Sequence, residues 1–368
     1  MKIAFISAAR SIHTVKWVNF LARRGHEVRL YSLPDHENKL GNIDPAVNIV
    51  YLEKSGFAGY FTNAPQLRRQ IRDFAPDIVN AHYASGYGTL AALSRVHPLL
   101  LSVWGSDVYD FPLKSPVHKQ LVKRNLEKAD AVASTSRVMA DRVRRVLRYN
   151  KPIFITPFGV DTSLFCPGEE PGGQRAGVRF GTVKALEDKY GMDYLIRAFA
   201  MVKKRLPNSA DVTLEIYGKG SRREALQGLI DSLGLSDCAK LCGAVPNTQV
   251  PEIIRGMDIF CLPSTLDSES FGVSAVEAMA CGVPVVCSDV DGFRETVEDG
   301  VTGYLVPRCN EKALADKMYE LAVNPQLCRM LGKAGRERVL RLYDFSKNVE
   351  EMEDFYRRTI ELAHRSGR

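Results

Sequence analysis

Residues 263–286 read Pro263-Ser-Thr-Leu-Asp-Ser-Glu-Ser-Phe-Gly-Val-Ser-Ala-Val-Glu-Ala-Met-Ala-Cys-Gly-Val-Pro-Val-Val286, and the spacing predicts loop, helix, glycine stop and buried strand. Ser270 or Glu269 is suited to cap a helix over about 271–281, Gly282 stands where a left-handed C-cap is expected, and Pro284 forbids continuation. The first turn of such a helix offers backbone N–H groups near Phe271, Gly272 and Val273, together with the positive end of the dipole. An anionic group such as a diphosphate is the natural guest there. Glu269 lies just before this seat and Glu277 about one and a half turns inside the helix; carboxylates, which only accept, suit sugar hydroxyls, which donate. Two solvated acids flanking a surface helix is the plainer alternative. The small residues Gly272, Ser274, Ala275, Ala278 and Ala280 favour close backbone approach instead.

Outward from this stretch, short apolar runs alternate with amphipathic helical stretches along the whole chain. Runs at 2–7, 27–32, 78–81, 99–103, 131–135 and 154–157 predict the strands of a first unit. Those at 178–183, 212–217, 240–242, 259–263, 284–288 and 303–306 predict a second. Such alternation implies parallel sheets covered by helices on both faces, hence an α/β class of doubly wound domains. At 368 residues the chain exceeds one ordinary core. The Pro/Gly-dense stretch 166–177 marks the expected boundary, and 348–363 predicts a final helix rich in acids and aromatics.

Residues 1–170 hold 23 Lys and Arg against 15 Asp and Glu, whereas 171–368 hold 27 against 28. The basic excess is therefore N-terminal, concentrated in 114–128 and 137–151. It reads as solvated helix faces or as a patch for an anionic membrane surface or a phosphate-bearing acceptor; without aromatic-interleaved basic strands, nucleic acid is not expected. The eight cysteines, Cys166, Cys238, Cys242, Cys261, Cys281, Cys287, Cys309 and Cys328, sit mostly in apolar runs and predict a reduced, cytoplasmic protein. The apolar run 3–9 is too short for a signal peptide and is followed at once by Arg10, His13 and Lys16; it predicts a buried first strand. No stretch is long enough to cross a bilayer.

The residues 263–286 resemble the E-x7-E pattern of retaining GT-B glycosyltransferases of family four: Glu-x-Phe-Gly followed by Glu-Ala-Met-Ala-x-Gly-x-Pro-Val-Val. The resemblance implies two Rossmann-like doubly wound domains facing each other across a cleft, the GT-B fold. It implies an acceptor-side domain over 1–168, on which a C-terminal helix over 346–368 packs back, and a nucleotide-sugar-binding domain over 177–345. Phe180-Gly-Thr-Val-Lys-Ala-Leu-Glu-Asp-Lys-Tyr-Gly-Met192 is similar to the family's Gly-Arg-Leu-x-x-x-Lys-Gly element, whose arginine and lysine clamp the donor pyrophosphate. Lys189 falls on the family lysine. Thr182 stands at the arginine after Gly181, and Lys184 is the replacement candidate. Tyr217-Gly-Lys-Gly220 and Leu241-Cys-Gly-Ala-Val-Pro246 resemble the strand ends lining nucleotide base and ribose, which nominates Gly218 and Val245.

On the acceptor side, His82 closes Asp77-Ile-Val-Asn-Ala-His82 and resembles the family histidine near the transferred sugar. Trp104 replaces the histidine of a Thr-x-His-Gly-x-Asp element whose Asp is Asp107; Trp104 packs in the core or stacks on a sugar, and Asp107 caps its loop or binds acceptor hydroxyls. The first turn lacks the family's paired glycines and any G-x-G-x-x-G, leaving Arg10, Ser11 and His13 as acceptor-side candidates. Phe158 stands where the family has Asn.

The reaction implied is hexose transfer from a UDP- or GDP-linked nucleoside diphosphate sugar to a hydroxyl of a glycan or lipid-linked acceptor, with retention. Glu269, His82 and Lys189 are the catalytic candidates, and envelope or surface polysaccharide assembly the expected setting. No metal or other cofactor is expected, since no Asp-x-Asp stands in the cleft segments. The expected location is cytoplasmic, with possible peripheral contact at the inner membrane face. Two alternatives stand beside this: a nucleotide-sugar epimerase or hydrolase using Glu269 and Glu277 as acid and base, and a catalytically silent nucleotide-sugar-binding subunit.

Overall fold

A computed structural model describes residues 1–168, 177–207 and 211–367. They form two compact units: Met1–Phe158 with Ser346–Arg368, and Gly159–Phe345. In the first, seven parallel strands are ordered β3-β2-β1-β4-β5-β6-β7. These are β1 Lys2–Ile6, β2 Glu27–Ser32, β3 Asn48–Tyr51, β4 Ile78–His82, β5 Leu99–Val103, β6 Ala131–Ser134 and β7 Ile153–Ile155. The second has six, ordered β10-β9-β8-β11-β12-β13. They are β8 Val178–Val183, β9 Val212–Tyr217, β10 Ala239–Gly243, β11 Ile259–Leu262, β12 Val285–Ser288 and β13 Gly303–Val306.

The apolar runs become strands because helices bury both their faces: β4, β5, β6, β11 and β12 are buried at every position. β3 has no counterpart among the sequence expectations. It is a short edge strand, exposed at both ends and half-buried between, so it lacks the apolar run that marks the others. In each sheet the strand order reverses once, between β1 and β4 and between β8 and β11. Ligands of doubly wound sheets bind beyond the strand C-termini at such switch points.

The units divide at Phe158/Gly159, ahead of the Pro/Gly-dense stretch that the sequence marks. The intervening residues are bound into the second unit: Arg336 donates to the carbonyls of Thr162 and Phe165, and Val160 bridges Asp344. Residues 169–176 of that stretch lie outside the described residues. The last helix, Phe345–Arg365, runs three residues further at its start and two at its end than expected. Its Tyr356 hydroxyl accepts from Asn80 in β4 at 2.9 Å, Phe355 stacks on Phe154 at 4.6 Å, and Glu353 takes a two-pronged contact from Arg24 at 2.6 and 3.1 Å.

Candidate functional site

At the switch point of the second sheet, β8 runs out at Val183 and the chain turns through 184–191. Backbone bonds hold this loop in place: Lys184 N donates to Tyr217 O, Leu186 N to Lys219 O, and Thr265 N to Lys189 O. Gly218, at φ +154°, lets the loop after β9 come so close that a Cβ there would stand 1.9 Å from the Lys184 carbonyl oxygen. Gly191, at φ +63°, does the same against Pro263 O at 2.2 Å. The result aims Lys184 at the two acids singled out in the sequence. Its Nζ lies 2.5 Å from Glu269 Oε2, with both side chains nine-tenths or nearly so out of solvent. Burial pulls the Lys184 pKa down, but attraction to Glu269, then to Tyr190 and Glu277, outweighs it and leaves the ammonium held above its ordinary value. Lys184 and Lys189 also share the Tyr190 ring, at 4.7 and 4.9 Å from its centre.

The helix after Glu269 is shorter than expected, Val273–Ala280, and is capped by neither Ser270 nor Glu269. Gly272 takes the N-cap position in the left-handed conformation, with no side-chain cap bond. A Cβ at Gly272 would meet Phe293 at 2.5 Å, and one at Gly292 would meet Glu269 O at 2.3 Å, so the turn packs tightly on its neighbour. Phe271 is 2 % exposed and stands edge-on to Tyr343, so its side chain belongs to the core and only its backbone faces the turn. Gly282 is left-handed as expected, at φ +76°. Arg308 grips Asp267 at 2.9 and 3.2 Å, fixing the loop that carries Glu269.

Two sequence candidates change character. Gly181 sits inside β8, where a Cβ would strike Met257 at 2.4 Å; it is there for packing and is buried away from the loop that follows. Thr182, at the family arginine's place, is fully buried, and the cation paired with Glu269 is Lys184. Val245 is half-buried in the loop after β10. Among the described residues no group of three His, Cys, Asp or Glu converges to hold a metal ion.

The first unit's switch point holds a cavity of about 360 Å³, lined by Ser7, Ala8 and Ser11 after β1, by His82 at the end of β4 with Tyr83, Ser85, Gly86, Tyr87 and Thr89 beyond it, and by Trp104. His82 is 1 % exposed, with Nδ1 3.1 Å from Ser7 Oγ, and burial followed by the nearby His13 pushes its pKa down to about 3. It is a neutral imidazole at physiological pH. The candidate His13 and the departures at Trp104 and Phe158 prove to be one aromatic group. His13 stacks on Phe158 at 4.0 Å, and Trp104 meets His13, His82 and Phe158 at 5.6, 4.4 and 5.6 Å.

Of the two roles open to Asp107, the structure favours loop capping. It is fully buried, and its carboxylate accepts from the backbone N–H groups of Ala84, Trp104 and Gly105 at 2.7, 3.1 and 2.8 Å. Full burial and these three backbone donors commit the carboxylate to its loop, and it does not line the cavity described above. Arg10 points outward to the Asp35 carbonyl, and Ser11 precedes the helix Ile12–Arg23 without a side-chain cap bond. Sequence reasoning missed the rest of this cavity. Tyr83 carries a left-handed backbone, φ +78°, a strained state that clusters at functional sites. Phe57, Tyr60 and Phe61 come from the helix Gly56–Thr62, whose aromatics at i, i+3 and i+4 were the available signal.

Comparison with known proteins bears on the same regions. The "Glycosyl transferases group 1" profile matches residues 177–338, and "Glycosyl transferase 4-like" matches 2–136. The chain is 30 % identical over 262 residues to a GDP-mannose-dependent alpha-(1-6)-phosphatidylinositol monomannoside mannosyltransferase of Mycolicibacterium smegmatis, covering 68 % of this chain and 67 % of that protein. Among solved structures it is similar to sucrose-phosphate synthase from Thermosynechococcus elongatus, at TM-score 0.82, 22 % identity, 97 % of this chain and 98 % of that one. It is also similar to Anabaena HepE in complex with UDP and glucose, at TM-score 0.79, 19 % identity, 96 % and 99 % coverage. These likenesses are to the GT-B fold in both cases.

Proposed function

Because the chain belongs to the glycosyl transferases group 1 family, with the GT-B fold, we propose that it moves a hexose from a nucleoside diphosphate sugar to an acceptor hydroxyl with retention and without a metal ion. The observation that carries the reading is Lys184 on Glu269, under the influence of Glu277, at the second unit's switch point. Backbone N–H groups at Gly272, Val273 and Ser274, at the start of the 273–280 helix, are the first-turn donors that have no intrahelical partner. With Lys184 and Lys189 they neutralise the charge that grows on the departing diphosphate. Both cations are fixed before the donor arrives, so little reorganisation remains for the moment of transfer. Glu277 holds ribose hydroxyls, and Glu269 holds sugar hydroxyls and orients the donor, gaining rate by position.

The relative from Mycolicibacterium is named for GDP-mannose and a phosphatidylinositol glycolipid, and HepE is solved with UDP. A hexose on UDP or GDP is the donor these names suggest, and the Mycolicibacterium relative's name favours a lipid-linked acceptor. Exposed Leu113 and Val117 beside Lys114 and Lys119, at the start of the helix Pro116–Lys128, suit an anionic bilayer surface. Calorimetric titration with UDP and with GDP is the direct test. One of them should bind, and Lys184→Ala should weaken it at least tenfold; if neither binds, the reading is lost. Product analysis by NMR, with and without chelator, then reads the anomeric outcome and any need for metal.

A further inference from the structure

The cavity of the first unit is uncharged. None of its lining residues is Asp, Glu, Lys or Arg, and much of its wall is aromatic: Phe57, Tyr60 and Phe61 from one helix, Phe111 from the turn 111–113 and Trp104, with Leu121 from the helix Pro116–Lys128 beside them. Its ionisable groups are neutral near pH 7. Burial, then Arg10, lowers His36; His82 lies near 3; burial lifts Tyr60 to about 12 and raises Tyr83 and Tyr87 as well. The polar atoms are largely used internally: the Tyr87 hydroxyl meets His36 Nδ1 at 2.7 Å and accepts from Leu33 N at 3.2 Å, and Tyr83 bonds Ser106. Phe57 is nevertheless 72 % exposed and Phe61 38 %. A large aromatic side chain left in water at the mouth of an apolar pocket marks a surface that something apolar covers. A phosphorylated polyol finds no cation among these walls; Arg10, whose charge reaches His36 and Tyr60, donates to the Asp35 carbonyl and is not one of the lining residues.

Resting on the transferase reading, we infer that this cavity is the acceptor's aglycone site: it takes an uncharged apolar group joined to the sugar that receives the new residue. Ser11 and the rim hydroxyls meet the sugar, and Phe57, Tyr60, Phe61 and Phe111 enclose the apolar part. Phe57 and Phe61 thereby set acceptor specificity.

The test is binding of methyl, butyl, hexyl and octyl glucosides to the full chain, the last below its micellar concentration, followed through tryptophan fluorescence with a Trp17→Phe background that leaves Trp104 as the reporter. Affinity should rise about three- to fourfold per added methylene until the cavity is full, and glucose 1-phosphate should bind no better than the methyl glucoside. The double variant Phe57→Ser/Phe61→Ser should flatten the series, so that octyl glucoside binds no more tightly than methyl glucoside. In the unaltered protein, octyl glucoside should slow amide exchange at 57–61 and 83–89. A 4-nitrophenyl glucoside arm distinguishes sources: tighter binding than octyl assigns an aromatic aglycone, weaker binding a lipid chain, and both support the site. Affinity independent of chain length, a slope that survives the double variant, or preference for the phosphate would overturn it. No donor is present in these titrations, so their failure is separable from failure of UDP and GDP to bind the second unit.

Discussion

Lys184 and Glu269 are nearly enclosed, and each is the other's counter-charge. Lys184→Met should therefore cost about 3 kcal/mol, read by urea unfolding, because it strands a carboxylate in a poorly solvated place. The pair Lys184→Met/Glu269→Gln should recover most of that stability, yet transfer should stay about 100- to 1000-fold down. Recovery of both together would show that the pair is structural only. His82 makes a contrasting prediction. Its folded pKa near 3 lies below the unfolded value of about 6.5, so the unfolded chain binds the extra proton between those limits. Stability is full above about pH 6.5 and falls as the pH drops toward 3. The His82 ring signals in NMR should accordingly stay those of a neutral imidazole from pH 8 to pH 4; a midpoint near 6.5 would contradict its burial. At this scale the sequence was legible where chemistry and spacing coincide, as at Lys184, Glu269 and Glu277. It was not legible where burial decides: Asp107 and Gly181 have the residue types of ligands, and only packing shows that they serve the loop and the strand.

The loops after β8 and β9 behave as one piece, since the Gly218 backbone lies against the Lys184 carbonyl. Gly218→Ala should push that loop aside and weaken nucleotide binding at least tenfold in calorimetry, with a stability loss of about 1–3 kcal/mol; unchanged affinity would separate the loop from the site. The helix Phe345–Arg365 gives a second test. Glu353 is held down to about 2, chiefly by its hydrogen bonds from Arg24, with His26 adding to it. This contribution is present above the unfolded carboxylate range near 4.3 and is lost as pH falls through it toward 2. Glu353→Gln should remove about 2–3 kcal/mol at neutral pH and abolish that acid limb in unfolding curves. Most strands were foretold to within a residue or two by their apolar runs. β3 escaped because an edge strand needs no such run, and the start of the 273–280 helix shifted because Gly272 reaches a left-handed cap that a serine does not need to supply.

For the molecule as a whole, the two units carry separate sites, each at the reversal of its own sheet. Hydrogen exchange with saturating UDP or GDP should protect 184–191, 218–222 and 269–277 and leave 57–61 and 83–89 unchanged. Protection spread over both would break this assignment. The alternating pattern made the doubly wound class readable from one end of the chain to the other, whereas the aromatic cavity was hidden because its walls come from segments with no shared motif. One consequence reaches into biosynthesis. Since residues 346–367 follow the entire second unit yet supply the Tyr356, Glu353 and Phe355 contacts of the first, a ribosome finishes the later-coded unit while the earlier one still waits for its closing helix. Nascent chains halted near codon 345 should thus expose Asn80 and Phe154 to chaperones and proteases, and a peptide of 346–367 added in trans should protect them.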